Sequence, residues 1–211
     1  MEAPAQLTAS DRRATAPDPQ ICDLGWSGAL ALADSLIGRE AGRSTLAFLD
    51  DRAAIDRVLD GHYRAALRQR LLIDARRFAA GPMRGPRTRA ASLTAARFIP
   101  ALLTFLDRPC RVGLAGRDPG RLERLKLALR RHTPWHEFSV VSPAELPTAG
   151  YDLVIVDAVS PAEERLVERQ LVGLTNGLLL MGGRSLSALV PAAERSRRHR
   201  KRLPAAAGLA T

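Results

Sequence analysis

Cysteine is scarce: the 211 residues hold two, Cys22 and Cys110, far apart and without metal-ligand spacing. That pattern excludes a disulfide framework and a cysteine-built zinc site, and it reads as two structural thiols kept reduced. Long apolar runs are absent as well, none reaching the roughly 18 residues that a membrane-spanning helix needs. The opening MEAPAQLTASDRRATAPDPQ has the acidic Glu2 and no apolar core, so no secretory signal is expected and the expected location is the cytoplasm. Aromatic residues make up 4% of the chain, which leaves few platforms for stacking bases. Nucleic-acid binding therefore rests on charge alone and is the last of the readings. No GxGxxG follows Val112, which weakens a nicotinamide-dinucleotide reading, and there is no internal repeat.

What the chain does have is arginine. Of 32 basic residues all but Lys126 and Lys201 are arginine, and against 22 acidic residues they give a formal net charge of +10. Such a balance favours polyanionic partners, although alanine and arginine are abundant together, as a GC-rich coding bias alone would make them. Position is more informative than total. Between Arg64 and Arg97 nine arginines face the single acid Asp74, and RSRRHRKR (Arg195–Arg202) is basic or polar throughout. Either cluster can meet phosphate or be a solvated face.

A hydrophobic fraction of 46% is that of a globular protein. Residues 1–22 are rich in Pro, Ala and Asp without periodicity and read as a disordered leader, with order beginning near Leu24. A domain over 23–190 and a basic tail over 191–211 complete the division. Helical spacing runs over Trp26–Ile37, and a strand follows at Thr45–Leu49. Asp50 or Asp51 can cap one amphipathic helix whose inward positions are Ile55, Val58, Leu59, Tyr63, Ala66 and Leu67. An apolar run, Leu71–Ile73, leads to Asp74, and GPMRGPRTR punctuates a basic loop. Ser92–Leu106 is helical again, with Pro100 either kinking it or starting a second helix.

The second half alternates regularly. Strands are predicted at Arg111–Ala115, Phe138–Val141, Tyr151–Val156 and Leu178–Met181, and helices at Arg121–Arg131 and Pro161–Leu171. This order predicts a single α/β domain, a Rossmann-like and mostly parallel sheet with helices on both faces. In such sheets ligands sit where strands end and helices begin, which draws attention to YDLVIVDAVSPAEERLVERQ (Tyr151–Gln170).

Five blocks in order carry a family resemblance over roughly Thr45–Val190. FLDDRAAIDRVLDGHYRAAL is similar to a first strand and helix of the type TLNxHxxNLAxxDPxxRAAL, and FIPALL (Phe98–Leu103) to LFPALL. RVGLAGRDPG (Arg111–Gly120) is similar to RVFLLGGKPG, YDLVIVDAVSPAEE to PDLLLVGLGAPKQE, and LLLMGG to VIGVGG. The chain thus resembles the WecG/TagA/CpsF glycosyltransferases, glycosyltransferase family 26. The resemblance implies a glycosyltransferase of bacterial surface, capsular or exopolysaccharide biosynthesis, passing a sugar from a UDP-sugar donor to a lipid-linked acceptor. No cofactor and no metal site are expected, and an oligomer is possible.

Inverting sugar transfer needs a base for the acceptor hydroxyl and positive charge for the departing diphosphate. A gapless alignment puts Arg76 opposite the family's catalytic aspartate, whereas a two-residue deletion puts Asp74 there. Asp74 is the candidate base, a strand-end carboxylate paired with Arg76 or Arg77 being the alternative. Asp50 either lines the sugar pocket or caps its helix. Thr94 alone survives in place from the family's Arg-Val-Thr-Gly-Thr-Asp, which reads Ser92–Arg97 here. Behind GRDPG a helix start offers N–H groups to a diphosphate, so Gly116, Arg117 and Gly120 are assigned to the nucleotide side. Gly182 and Gly183 join them as positions of close backbone approach.

The resemblance also places Glu163 and Glu164 in the nucleotide-sugar pocket. The alternative for Glu164 is a carboxylate capping its own helix for about 0.3–1 kcal/mol. An added carboxylate beside a diphosphate is unfavourable unless Arg117, Arg165 or a metal offsets it. The tail stands where the family carries a basic, aromatic-rich appendage. Arg195–Arg202 could attract anionic headgroups at about 1 kcal/mol per residue, which suggests peripheral contact with the inner face of the membrane, or it is a plain solvated tail. Two other classes stay open: an inactive member serving as a polysaccharide-assembly partner, and a Rossmann-like methyltransferase, against which the strand ending at Val141-Ser142 lacks the acidic residue such enzymes carry.

Overall fold

A computed structural model describes residues 21–22, 24–37, 39, 42–74, 94–141, 150–173 and 177–190. In chain order the elements are β1 (Ile21–Cys22), α1 (Trp26–Ile37), β2 (Arg43–Leu49), α2 (Asp51–Leu59), α3 (Gly61–Arg68), β3 (Leu71–Asp74) and α4 (Ala95–Phe105). They continue with β4 (Arg111–Gly116), α5 (Pro119–His132), β5 (Glu137–Val140), β6 (Leu153–Asp157), α6 (Pro161–Gln170), β7 (Gly177–Met181) and a 3-10 helix over Gly183–Ala188.

The strands form one seven-stranded sheet in the order β1-β3-β2-β7-β6-β4-β5, and every pairing is parallel. Parallel strands need covering on both sides, and the apolar residues sort accordingly. Leu46, Ile73, Leu114, Ile155 and Leu180 face one layer with α1, α4 and α5. Their sequence neighbours Ala47, Leu72, Ala115, Val154 and Leu179 face the other, with α3 and α6. That alternation is the period of two of a pleated strand, and here both faces are apolar. The chain is therefore a single-domain α/β fold of Rossmann-like type.

Phe98 is the hub of the first layer. It is fully buried on α4 and meets Trp26 and Phe48 edge-on at ring distances of 6.1 and 5.4 Å. Burying a side chain of this kind contributes roughly 1.5–3 kcal/mol. Pro100 lies inside α4 without ending it, so no second helix starts there.

Two expectations are corrected. Order begins before Leu24, because Ile21 and Cys22 pair with Leu72 and Ile73 as an edge strand. The single amphipathic helix after Asp50 is two helices. Asp60 accepts the N–H groups of His62 and Tyr63 at 2.9 and 3.0 Å, starting a new helix where the first ends. Arg165 hydrogen-bonds the same carboxylate at 2.9 Å and, with the backbone donors, holds its pKa below the usual range. Tyr63 and Leu67 on α3 are buried, whereas Ile55, Val58 and Leu59 on α2 are 50, 67 and 77% exposed. The basic loop GPMRGPRTR, Arg76 and Arg77, Ser92 and Leu93, and the tail with Arg195–Arg202 lie outside the described residues.

Candidate functional site

Above the carboxyl ends of β2, β7 and β6 lies a narrow cleft of about 70 Å³. The end of β2 supplies Phe48 and Asp50, and the helices behind it Ala53, Asp56 and Tyr63. Thr94 enters as the residue before α4; Ser160 and Glu164 come from the start of α6, and Gly182 to Ser185 from the turn after β7. Five of the residues singled out from sequence, Asp50, Thr94, Glu164, Gly182 and Gly183, are thus brought together. They come from four segments spread over more than half the chain.

Each has a local physical role as well. Asp50 is the N-cap of α2, its Oδ1 accepting the Ala53 N–H at 2.7 Å. It is exposed, so capping and lining coexist. Thr94 precedes α4 in extended conformation and makes no side-chain cap, which leaves its hydroxyl for the cleft. A Cβ on Gly182 would lie 2.0 Å from Leu186 Cδ1, so the absent side chain there serves packing of the 3-10 helix. Gly183 has φ +58°, with open space where a Cβ would be, a left-handed turn that glycine adopts without strain. Arg184 ties this turn to the neighbouring one, its Nε donating to the Val159 carbonyl at 2.8 Å.

The two glutamates part company. Glu163 turns back on its own helix: its Oε2 accepts the Val159 N–H at 2.9 Å, while its N–H donates to Ser160 Oγ at 3.3 Å. Glu163 thus takes the capping role that the sequence had left open for Glu164. Glu164 is buried and bonded to Arg70 Nη1 at 2.5 Å, and Arg70 also pairs with Glu168 at 2.9 Å. Burial pushes the Glu164 carboxyl up, partly offset by Arg70. For Arg70, burial acts against the charge, yet Glu164 and Glu168 more than offset it and raise its pKa. The guanidinium also lies 5.9 Å from the Tyr63 ring centroid. Burial, and then the Glu164 charge, raise the Tyr63 phenol pKa.

Gly116, Arg117 and Gly120 fall outside this lining, one strand further along. From β4 the chain runs on to β5 and from β6 to β7, in opposite directions across the sheet, so the topological switch point lies between them, where Gly116 pairs in register with Asp157. It is filled by protein. A Cβ on Gly116 would meet the Asp157 carbonyl at 2.7 Å, and Arg121 holds the buried Asp157 through two nitrogens, one at 2.9 Å. Asp118 caps α5 by accepting the Arg121 N–H at 3.0 Å, placing a carboxylate where the sequence suggested a diphosphate. Arg117 and Gly120 are exposed. Asp74 closes β3 in register with Leu49, the residue before Asp50.

Sequence reasoning missed Asp56, Tyr63 and Arg184 in the lining, and Arg70 and Asp157 behind it. Asp157 alone had a visible signal, as the acidic end of the apolar run LVIVD. No group of His, Cys, Asp and Glu suited to a metal occurs among the described residues, nor does a helix long and apolar enough to cross a membrane. In comparison with known proteins, no family model matches the chain, and no curated protein matches it.

Proposed function

We propose that the chain is a glycosyltransferase of bacterial surface-polysaccharide assembly that holds a UDP-sugar in the carboxyl-edge cleft and passes the sugar to a lipid-linked acceptor. One observation carries the reading: Asp50, Thr94, Glu164, Gly182 and Gly183, singled out in separate segments of the sequence, line one cleft. In the reaction a carboxylate takes the acceptor hydroxyl proton, the acceptor oxygen bonds to the anomeric carbon, and the bond to the diphosphate breaks as UDP departs. Asp74 is the base that the resemblance names, and Arg184 is the cation in the cleft lining that would meet the departing diphosphate. Membrane contact through Arg195–Arg202 would bring a cytoplasmic enzyme to its acceptor.

The cleft is well below the roughly 300–1,000 Å³ of small-molecule pockets. The proposal therefore includes outward movement of α2 or of the 183–188 turn on binding. A second reading, a family member kept as a binding scaffold, is favoured by Glu163 and Glu164 both being committed to protein partners.

Calorimetric titration with UDP and UDP-sugars tests the proposal. Saturable binding is expected, weakened by Thr94→Ala and Asp50→Asn, with Asp74→Asn losing turnover but not binding. Binding without turnover under any acceptor supports the scaffold, and binding of S-adenosylmethionine in place of UDP overturns both in favour of a methyltransferase.

A further inference from the structure

A much larger cavity, about 720 Å³, opens at the opposite, amino-terminal edge of the sheet, between the start of β2, the end of α3 and the last turns of α6. Its lining holds six arginines, Arg39, Arg43, Arg68, Arg70, Arg165 and Arg169, against one acid, Glu168. Counting also Glu164 and Asp60, which pair with Arg70 and Arg165, three positive charges remain in excess among the described residues. Basic residues in the last turn of a helix complement its dipole. That accounts for one arginine on α3 and one on α6, and not for the convergence of Arg39 and Arg43 on the same hollow.

The donors are also left unfilled. Arg70 has a side chain only 2% exposed, and its Nε has no hydrogen-bond partner among the described residues. The buried Nε of Arg68 has none there either. Arg43 Nη1 donates to the Leu171 carbonyl at 3.0 Å, whereas Arg39, Arg68 and Arg169 have no carboxylate partner among the described residues. Buried N–H groups ordinarily find acceptors, so unfilled guanidinium donors around a positively charged hollow call for a ligand rich in acceptor oxygens. Guanidinium forks match phosphate in geometry and charge. Among the described residues the lining contains no aromatic ring to stack a base. Its volume suits a ligand larger than a single phosphate.

We infer that the amino-edge arginine cavity binds a compact anion bearing two or more phosphate charges, of the diphosphate class. The inference stands apart from the sugar-transfer reading, whose cleft lies at the other edge of the sheet. A free diphosphate and a phospholipid headgroup would present the same chemistry.

The test is calorimetry of the full chain with inorganic pyrophosphate, alongside co-sedimentation with vesicles of phosphatidylglycerol or phosphatidylcholine. Saturable pyrophosphate binding is expected, weakened about tenfold or more by Arg68→Ala/Arg169→Ala and unchanged by Arg130→Ala/Arg131→Ala, which removes the same charge from the exposed end of α5. If the alanine variant does not fold, Arg68→Lys/Arg169→Lys keeps the charge and loses the fork, and weaker binding is again expected. Phosphatidylglycerol binding that pyrophosphate displaces and the cavity variant abolishes would make a headgroup the source. Absence of saturable pyrophosphate binding, or equal weakening by both double variants, would overturn the inference, whereas pyrophosphate binding together with vesicle binding indifferent to the cavity variant would make a free diphosphate the source.

Discussion

Arg70 joins the two cavities. It lines the basic hollow at the amino edge, while its partner Glu164 lines the cleft at the carboxyl edge. Both are buried, so each ion depends on the other. Removing one partner of such a pair costs about 3–5 kcal/mol, and replacing both by apolar groups is often neutral. Arg70→Met alone is therefore expected to lose about 3–5 kcal/mol in urea unfolding, and Arg70→Met/Glu164→Leu to recover most of it; equal losses in single and double variants would contradict the pairing. At this scale the sequence was legible where the interaction is local. Asp50 as a cap follows from its place before a helix. The link between Arg70 and Glu164 spans 94 positions and leaves no pattern to read. Gly182 was legible as a position of close approach, but that Leu186 also closes in on it shows only once the 3-10 helix has formed.

Helix α2 shows how one carboxylate redirects an element. Ile55, Val58, Leu59, Tyr63 and Leu67 recur at helical spacing, but Asp60 restarts the helix, so the second set is buried and the first is not. Leu59→Ser is accordingly expected to shift stability by no more than about 0.5 kcal/mol, as surface changes do. Leu67→Ala, at a fully packed position, is expected to cost about 2–5 kcal/mol. Chemical denaturation of the two variants decides it, and a large loss at Leu59 would show that α2 packs against something. Spacing predicts which residues share a face; it does not show the break that the Asp60 cap sets between them. Strands β4, β6 and β7 were legible because a strand buried on both faces is an unbroken apolar run, whereas Ile21–Cys22 is too short to carry any period.

Across the whole molecule the parallel sheet separates two kinds of chemistry. Its carboxyl edge gathers carboxylates, a threonine and a glycine turn, and its amino edge gathers arginines. The alternation of strands and helices made the fold class legible, and it pointed to the strand ends, where the cleft lies. Which ends converge was not legible, because it depends on strand order: β2 and β7 lie side by side although some 130 residues of chain separate them. The turn after β4, with Arg117 and Gly120, is left two strands away from the end of β7.

The most direct measurement is amide hydrogen exchange of the full chain with and without UDP. Slowed exchange within residues 47–56, 158–164 and 182–185 is the predicted result, since those segments bound the cleft. Unchanged exchange there, or protection confined to residues 39–45 and 165–172 around the arginine cavity, would contradict a nucleotide site at the carboxyl edge.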